Sequence, residues 1–439
     1  MFDWFKKSSG RIYLDYAGAT PVCTAAALAS SQAAAFYGNP GAIHAGGVEA
    51  KRLLERSRES VAAEIGCKPR EVVFTSGGTE ANNLAILGFA RKLEKQRECQ
   101  KSDFRHVKSQ TFDTGLNGTH WIVSAIEHPS VLECFVEIER LGGQVAHVDP
   151  DERGIIAPEA VARALRPETV FVSVGWGNSE IGIIQPIAHI ARAIQDAALV
   201  FASATKQSRV SPQTHGSLRS AREDGGAGTG GQRRIVFHSD AGQVSLYKPL
   251  QVHSLGVDLL TLDSGKLYGP RGIGVLYVGK DVELSPIMLG GKQERGLRGG
   301  TENVALAAGF AAALMHVAHI REDEAKRLGN LRDELARELV ARIPGAMVNG
   351  ALSHAMPHIL NVSIPGINSE YVVLALDHAG ISLSTKSACR EGEASRSHVV
   401  EALGGEVWRS ENTIRFSLGT STTAHDVQKT LSVLQARVS

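Results

Sequence analysis

Short apolar runs that end in polar or glycine turns and pass straight into helical runs are the feature that most limits what this chain can become. In the first, Val72, Val73 and Phe74 read as a strand entering Thr75, Ser76, Gly77, Gly78, Thr79 and Glu80, with a helical run from Ala81 to Leu93 after it. Ile122 to Ile126, Thr169 to Val174 and Ile235 to His238 are further apolar runs that end in polar residues. Strands alternating with helices predict an α/β fold with a mostly parallel sheet, whose sites gather at the strand ends. Near residue 320 the alternation gives way to a long helix with Leu328, Leu331, Leu335, Leu339 and Ile343 on one stripe, ended by Pro344 and Gly345. At 439 residues the chain exceeds what one core usually serves, so two domains are expected. The large one covers 20–319, with polar insertions at about 92–119 and 202–234. The smaller, α+β domain combines 1–19 with 320–439.

Composition excludes more than it selects. Lys+Arg 47 against Asp+Glu 46 gives no general pull toward nucleic acid or a membrane surface. The sequence shows no apolar run approaching the roughly 20 residues that cross a bilayer, and MFDWFKKSSG is too polar for a signal sequence, so the cytoplasm is the expected compartment. Cys23, Cys67, Cys99, Cys134 and Cys389 are scattered, without the spacing of a disulfide framework or a zinc site. The 202–234 stretch carries Lys206, Arg209, Arg219, Arg222, Arg233 and Arg234 against Glu223 and Asp224, and it lacks apolar periodicity. It reads as a disordered surface insertion, a solvated loop or a basic docking arm.

Several strand ends carry chemistry. Gly78 and Thr79 open a helix after a glycine turn, where free N–H groups and the helix dipole favour a phosphate. A nucleotide-binding loop of the GxxxxGK[ST] kind is absent, which points to a phosphorylated cofactor rather than ATP. His128 follows a strand and is a candidate site residue or a cap for the helix at Ser130. Asp240 ends another strand 26 residues before Lys266, with Gln243 three residues on. Lys266 lies between two apolar runs, 257–262 and 273–278, and so reads as a lysine in a buried hairpin. Desolvation disfavours a charged amine and frees it to attack a carbonyl, as a Schiff-base lysine does with pyridoxal phosphate. A strand-end aspartate suits the same cofactor, because it keeps the pyridine nitrogen protonated. The glycine-rich, basic loop 291–303 is a second place for a phosphate, or a flexible connection. Cys389, flanked by Lys386 and Arg390 among small polar residues, is in surroundings that favour thiolate. Arg415 sits on a late strand, as a bidentate partner for a carboxylate or as half of a salt bridge.

In this order the segments YLDYAGATPV, GNPGAIHAGG, FTSGGTEANNLAI, IEHPSVLE, NSEIGIIQPI, SDAGQ, KLYGPRGIGVLYV, GGKQERGLRGGTENVA, SLSTKSACR and IRFSLG resemble the cysteine desulfurases of the class V aminotransferase, fold-type I group. The resemblance runs from about Tyr13 to the C-terminus, and the Cys389 region is similar to the longer-loop branch. It implies that Lys266 carries pyridoxal phosphate, that His128 stacks on the ring and moves protons, and that Asp240 pairs with the ring nitrogen. Gln243 and Ser179 would meet the ring oxygen, and Gly78 and Thr79 the phosphate, with Thr301 reaching the phosphate of a partner subunit. Arg415 and Asn178 would hold the substrate, L-cysteine. Cys389 would take its sulfur as a persulfide and release alanine, for an acceptor protein of iron-sulfur assembly or tRNA thiolation. The chain departs from the family where Asp263, Ser264 and Gly265 replace the usual Ser-Gly-His before the lysine, and where Ser179 replaces an asparagine. Asp263 brings a negative charge toward an anionic phosphate. A selenocysteine lyase, and a scaffold with a degenerate cofactor site, are the alternatives that the sequence leaves open.

Overall fold

The computed structural model describes residues 10–102, 115–207, 234–385 and 396–438. Its strands, in chain order, are β1 (Ile12–Tyr13), β2 (Val72–Thr75), β3 (His120–Ser124), β4 (Gln144–Val148), β5 (Thr169–Ser173), β6 (Val236–Asp240), β7 (Leu259–Asp263), β8 (Gly274–Val278), β9 (Met347–Val348), β10 (Ile359–Ser363), β11 (Ile381–Ser382) and β12 (Thr413–Ser417). Seven of them form one sheet in the order β2-β8-β7-β6-β5-β3-β4. Only β8 runs against the rest of this sheet, pairing antiparallel with both β2 and β7. The expected mostly parallel sheet is therefore present, and Lys266 lies in the expected hairpin, between β7 and β8.

Period-two alternation sends successive side chains to opposite faces, and both faces are covered. Val73, Trp121, Val123 and Leu259 belong to one core, and Phe74, Ile122, Val172 and Leu260 to the other. Because β2, β3, β5, β6 and β7 share a direction, the loops that follow them emerge at one edge. That common edge gathers Gly78, His128, Asn178, Asp240 and Lys266 from across the chain.

Besides this sheet there are an antiparallel sheet, β12-β10-β9, and the parallel pair β1-β11. The N-terminal segment ties these to the large sheet. Asp15 bridges Ser417, while the Thr20 N–H and hydroxyl both donate to the Gly265 carbonyl at 3.0 Å.

Three helices exceed their sequence expectation. The helix after the glycine turn runs over Gly78–Ser102, and the one after β5 over Ile187–Gln207, so each polar stretch begins as helix. In the first of these, Lys, Glu, Gln and Arg propagate the helix without needing an apolar stripe, which is why periodicity stopped short there. Residues 103–114 and 208–233, which hold most of the rest of both insertions, lie outside the described residues. Val304–Arg342 is a single helix of 39 residues that spans the expected boundary at 320. It packs on the helices Thr24–Ala33 and Ala45–Ile65. By length and composition it contains a window apolar enough to cross a bilayer, 56% of it buried in this fold.

Candidate active site

A cavity at the strand-end edge is lined by Gly78, Thr79, His128, Asn178, Ser179, Asp240, Gln243, Asp263, Lys266 and Arg415, all singled out from sequence. Ser264, Gly265 and Thr301 are not among its lining residues. Ser264 instead turns its buried hydroxyl toward Gly269, where an added Cβ would meet it. Gly265 makes the turn, and Thr301 is exposed.

At one end of the cavity a chain of hydrogen bonds joins three strand ends. Asp240 accepts from the Gly242 N–H at 2.8 Å and from the Asn82 amide at 2.8 Å. The same Asn82 amide nitrogen donates to the Ser130 hydroxyl at 2.9 Å, and that hydroxyl lies 2.8 Å from His128 Nδ1. His128 Nδ1 also accepts the Ser130 N–H at 3.1 Å and so caps the helix Pro129–Arg140. Both sequence readings of His128 hold together: the cap fixes the ring that lines the cavity. Nδ1 as acceptor leaves Nε2 to carry the proton of the neutral ring. Burial lowers the His128 pKa; Asp240 opposes that shift and Lys266 adds to it.

Lys266 Nζ donates to the carbonyls of Ala17 and Gly18 at 2.8 and 2.6 Å. Gln243 donates from its amide to the Ala17 carbonyl at 2.8 Å, while its Oε1 is buried without a hydrogen-bond partner among the described residues, as is Asn82 Oδ1. Orphaned buried acceptors are costly, and they are expected where a ligand completes the site. Asn178 closes its own loop by accepting from the N–H groups of Glu180 and Ile181, and ties it to the loop after β3 by donating to the Ile126 carbonyl. Arg415 is buried on β12, paired with Asp15 at 2.7 Å and donating to the Ser179 carbonyl at 3.0 Å. Its Nε has no partner among the described residues. The salt-bridge alternative for Arg415 is therefore present, and it holds the guanidinium at the cavity wall.

The opposite end is formed by the N-terminus of Gly78–Ser102 and by Asp263. Asp263 Oδ2 accepts the Gly78 N–H at 3.2 Å, and Oδ1 accepts the Gly265 N–H at 2.8 Å. Behind this turn the 291–303 loop is fastened rather than free. Glu294 makes two hydrogen bonds of 2.7 Å to the buried Arg58 and accepts the Phe74 N–H at 3.0 Å, and Arg298 donates to Glu80 at 3.0 Å. Glu294 and Arg295 sit at φ 45° and 58°, a left-handed conformation that these contacts hold in place.

Tested against these residues, pyridoxal phosphate fits at the ring end. A carboxylate for the pyridine nitrogen, an amine, a neutral imidazole and unpartnered amide oxygens converge there. The phosphate end offers the helix N-terminus but also the Asp263 carboxylate.

Four contributors were not singled out from sequence: Asn82, Asp15, Glu127 and His398. Asn82 lies four residues after Gly78, on the same helix face, so a one-turn count from the phosphate turn would have found it. Glu127 is fully buried, and burial raises its pKa from 4.5 to about 8, with Asp240 adding to the rise and the Gly175 N–H opposing it. His398 Nε2 is 3.1 Å from the Glu127 carbonyl. Cys389 lies outside the described residues. Burial pushes Cys67 and Cys134 up to about 12, against thiolate.

Comparison with known proteins gives a consistent set of relatives. The Aminotransferase class-V family matches residues 12–110, 103–213 and 229–430. The chain is 34% identical over 425 residues to Cysteine desulfurase IscS of Dictyoglomus turgidum, covering 97% of this chain and 93% of the relative. Among solved structures, a NifS-like protein superposes with a TM-score of 0.79 at 28% identity, covering 98% of this chain and 99% of the other. SspA in complex with cysteine does so with a TM-score of 0.69 at 28% identity, covering 93% and 98%.

Proposed function

The chain belongs to the class V aminotransferase family, and from that premise we propose that it is a homodimeric, pyridoxal phosphate-dependent cysteine desulfurase. It removes sulfur from L-cysteine, releases L-alanine and keeps the sulfur as a persulfide on Cys389. The observation that carries this reading is the convergence of Lys266, Asp240 and His128 on one cavity whose far wall presents Arg415. Bound there, pyridoxal phosphate supplies an electron sink for bonds to the substrate α-carbon.

The chain's own groups do the rest. Asp240, fixed by Asn82 and Gly242, would hold a proton on the pyridine nitrogen. Gln243 would turn an amide N–H to the ring oxygen. Lys266 would hold the cofactor and supply the amine that moves protons at the substrate carbons. His128 presents its Nε2 proton from a ring that the Ser130 cap keeps in place. Arg415 binds the substrate carboxylate, exchanging part of its Asp15 pairing for the new anion. The Cys389 thiolate attacks the substrate sulfur, so that an S–S bond forms and the Cβ–S bond breaks. The electron pair stays with carbon, which takes a proton and leaves as alanine.

Chain length supports Cys389 as the acceptor. Ser384 pairs with Arg415, and Ser397 donates to Glu180 at 2.6 Å, so both flanks of its segment are anchored at the cavity rim. Cys389 is five residues from Ser384, a span of at most about 18 Å.

Two copies belong to the reading because Thr301 lies outside the cavity of its own chain. Tyr37, Ile43 and Leu289 leave apolar surface exposed for such a contact. The sulfur then passes to an iron-sulfur scaffold or a tRNA-thiolation protein in the cytoplasm.

The deciding experiment records the visible spectrum of the purified protein, adds L-cysteine, and measures alanine in parallel with Cys389→Ala. A band near about 400 nm that changes with cysteine is expected, with alanine release that depends on Cys389. A protein that stays colourless after incubation with pyridoxal phosphate would sink the reading.

A further inference from the structure

The end of the cavity suited to a phosphate is already in contact with an anion that belongs to the chain. Asp263 Oδ2 takes the Gly78 N–H, the first amide of the helix, and Oδ1 is held by the Gly265 N–H. The fit is close on the helix side, since a Cβ on Gly78 would stand 3.2 Å from Oδ2 and 3.3 Å from Asp263 Cβ. On the β6 side, a Cβ on Gly242 would reach Asp263 Cβ at 4.0 Å. A phosphate aimed at the Gly78 and Thr79 amides meets a like charge that is using one of the same donors.

We propose that Asp263 is an internal competitor for the cofactor phosphate and sets how far the chain prefers pyridoxal phosphate over pyridoxal. This rests on the cofactor assignment above and adds a specificity determinant to it. The carboxylate repels only the phosphorylated compound, because the ring-end contacts with Asp240, Gln243 and Lys266 are common to both. Like charges a few ångströms apart in a partly buried site disfavour each other strongly. The wild-type chain therefore binds pyridoxal phosphate weakly for a site so complete at the ring end, and its preference for the phosphate is small.

The test titrates the full-length cofactor-free protein, as wild type, Asp263→Ser and Asp263→Asn, with pyridoxal phosphate and separately with pyridoxal. Binding is followed by the visible band and by protein fluorescence, with inorganic phosphate as a competing probe. Asparagine keeps an acceptor for the Gly265 N–H, so the turn is retained if the serine variant folds poorly. Both variants are expected to bind pyridoxal phosphate at least about tenfold more tightly, with pyridoxal affinity unchanged and inorganic phosphate a stronger competitor. Unchanged or weaker binding of pyridoxal phosphate, or an equal gain for both compounds, would overturn the proposal. Failure of all three proteins to bind either compound would overturn the cofactor assignment and this proposal with it.

Discussion

Asp240 and Asp263 end adjacent parallel strands, β6 and β7, and both line the same cavity. Asp240 is held by the Asn82 amide and one backbone N–H; Asp263 is held by two backbone N–H groups. Residue type, strand position and hydrogen-bond count nearly match, yet their expected consequences are opposite. With the proposed cofactor bound, Asp240 would attract a protonated ring nitrogen, whereas Asp263, which already occupies donors suited to a phosphate, would repel one. What a strand-end carboxylate does is thus decided by the charge it faces, not by its local setting.

The comparison can be broken first at the ring end. Asp240→Ala is expected to lower alanine release by about a thousandfold, because it removes a preorganised charge at the reacting group. Alanine release by Asp263→Ser, measured at saturating cofactor, should stay well above that level. A loss of similar size in both would erase the distinction between the two ends.

Behind the phosphate end, Arg58→Leu leaves Glu294 buried without its partner. Breaking such a pair costs about 3–5 kcal/mol, to be read from urea unfolding. The loss should spread to cofactor affinity, since Glu294 also holds the strand that leads into Gly78.

Asn82→Ala sharpens the ring end by cutting the link between Asp240 and Ser130 while sparing both. A loss of about 1–3 kcal/mol in cofactor binding is expected, with a shifted pH profile of the visible band.

A separate effect is on pH dependence. In the fold Glu127 keeps its proton up to about 8, whereas the unfolded chain releases it near 4.5. The folded state therefore binds more protons between those values, and this contribution to stability is full below 4.5 and lost as pH rises through about 8. Glu127→Gln, which stays neutral throughout, is expected to lose less stability than wild type between pH 5 and pH 8 in paired urea titrations.

Much of the site was legible because it rests on local chemistry. The glycine turn into a helix, the His128 cap on Ser130 two residues away, Asp240 at a strand end and Lys266 in a hairpin are each written within a few residues. Helix extents were less legible: after Leu93 a charged run continues as helix without an apolar stripe, and after Ala198 apolar and small residues carry the next helix on to Gln207. Asn178 was read as a substrate contact; it lines the cavity, and the loop closure made by its amide was not legible in the sequence. Cys389 was marked by its neighbours in sequence alone.

Sequence by itself determined the strand-helix alternation, the sheet class and the residue types brought to the strand ends, because backbone hydrogen bonding and period-two burial act over short range. Only the tertiary structure decided which charges meet. Asp263 reaches Gly78 across 185 positions, Asp240 reaches Asn82 across 158, and Arg415 reaches Asp15 across 400. Those meetings depend on strand order in a sheet and on the N-terminal segment crossing to β12, and they are fixed by the packing of the two cores rather than by any local pattern.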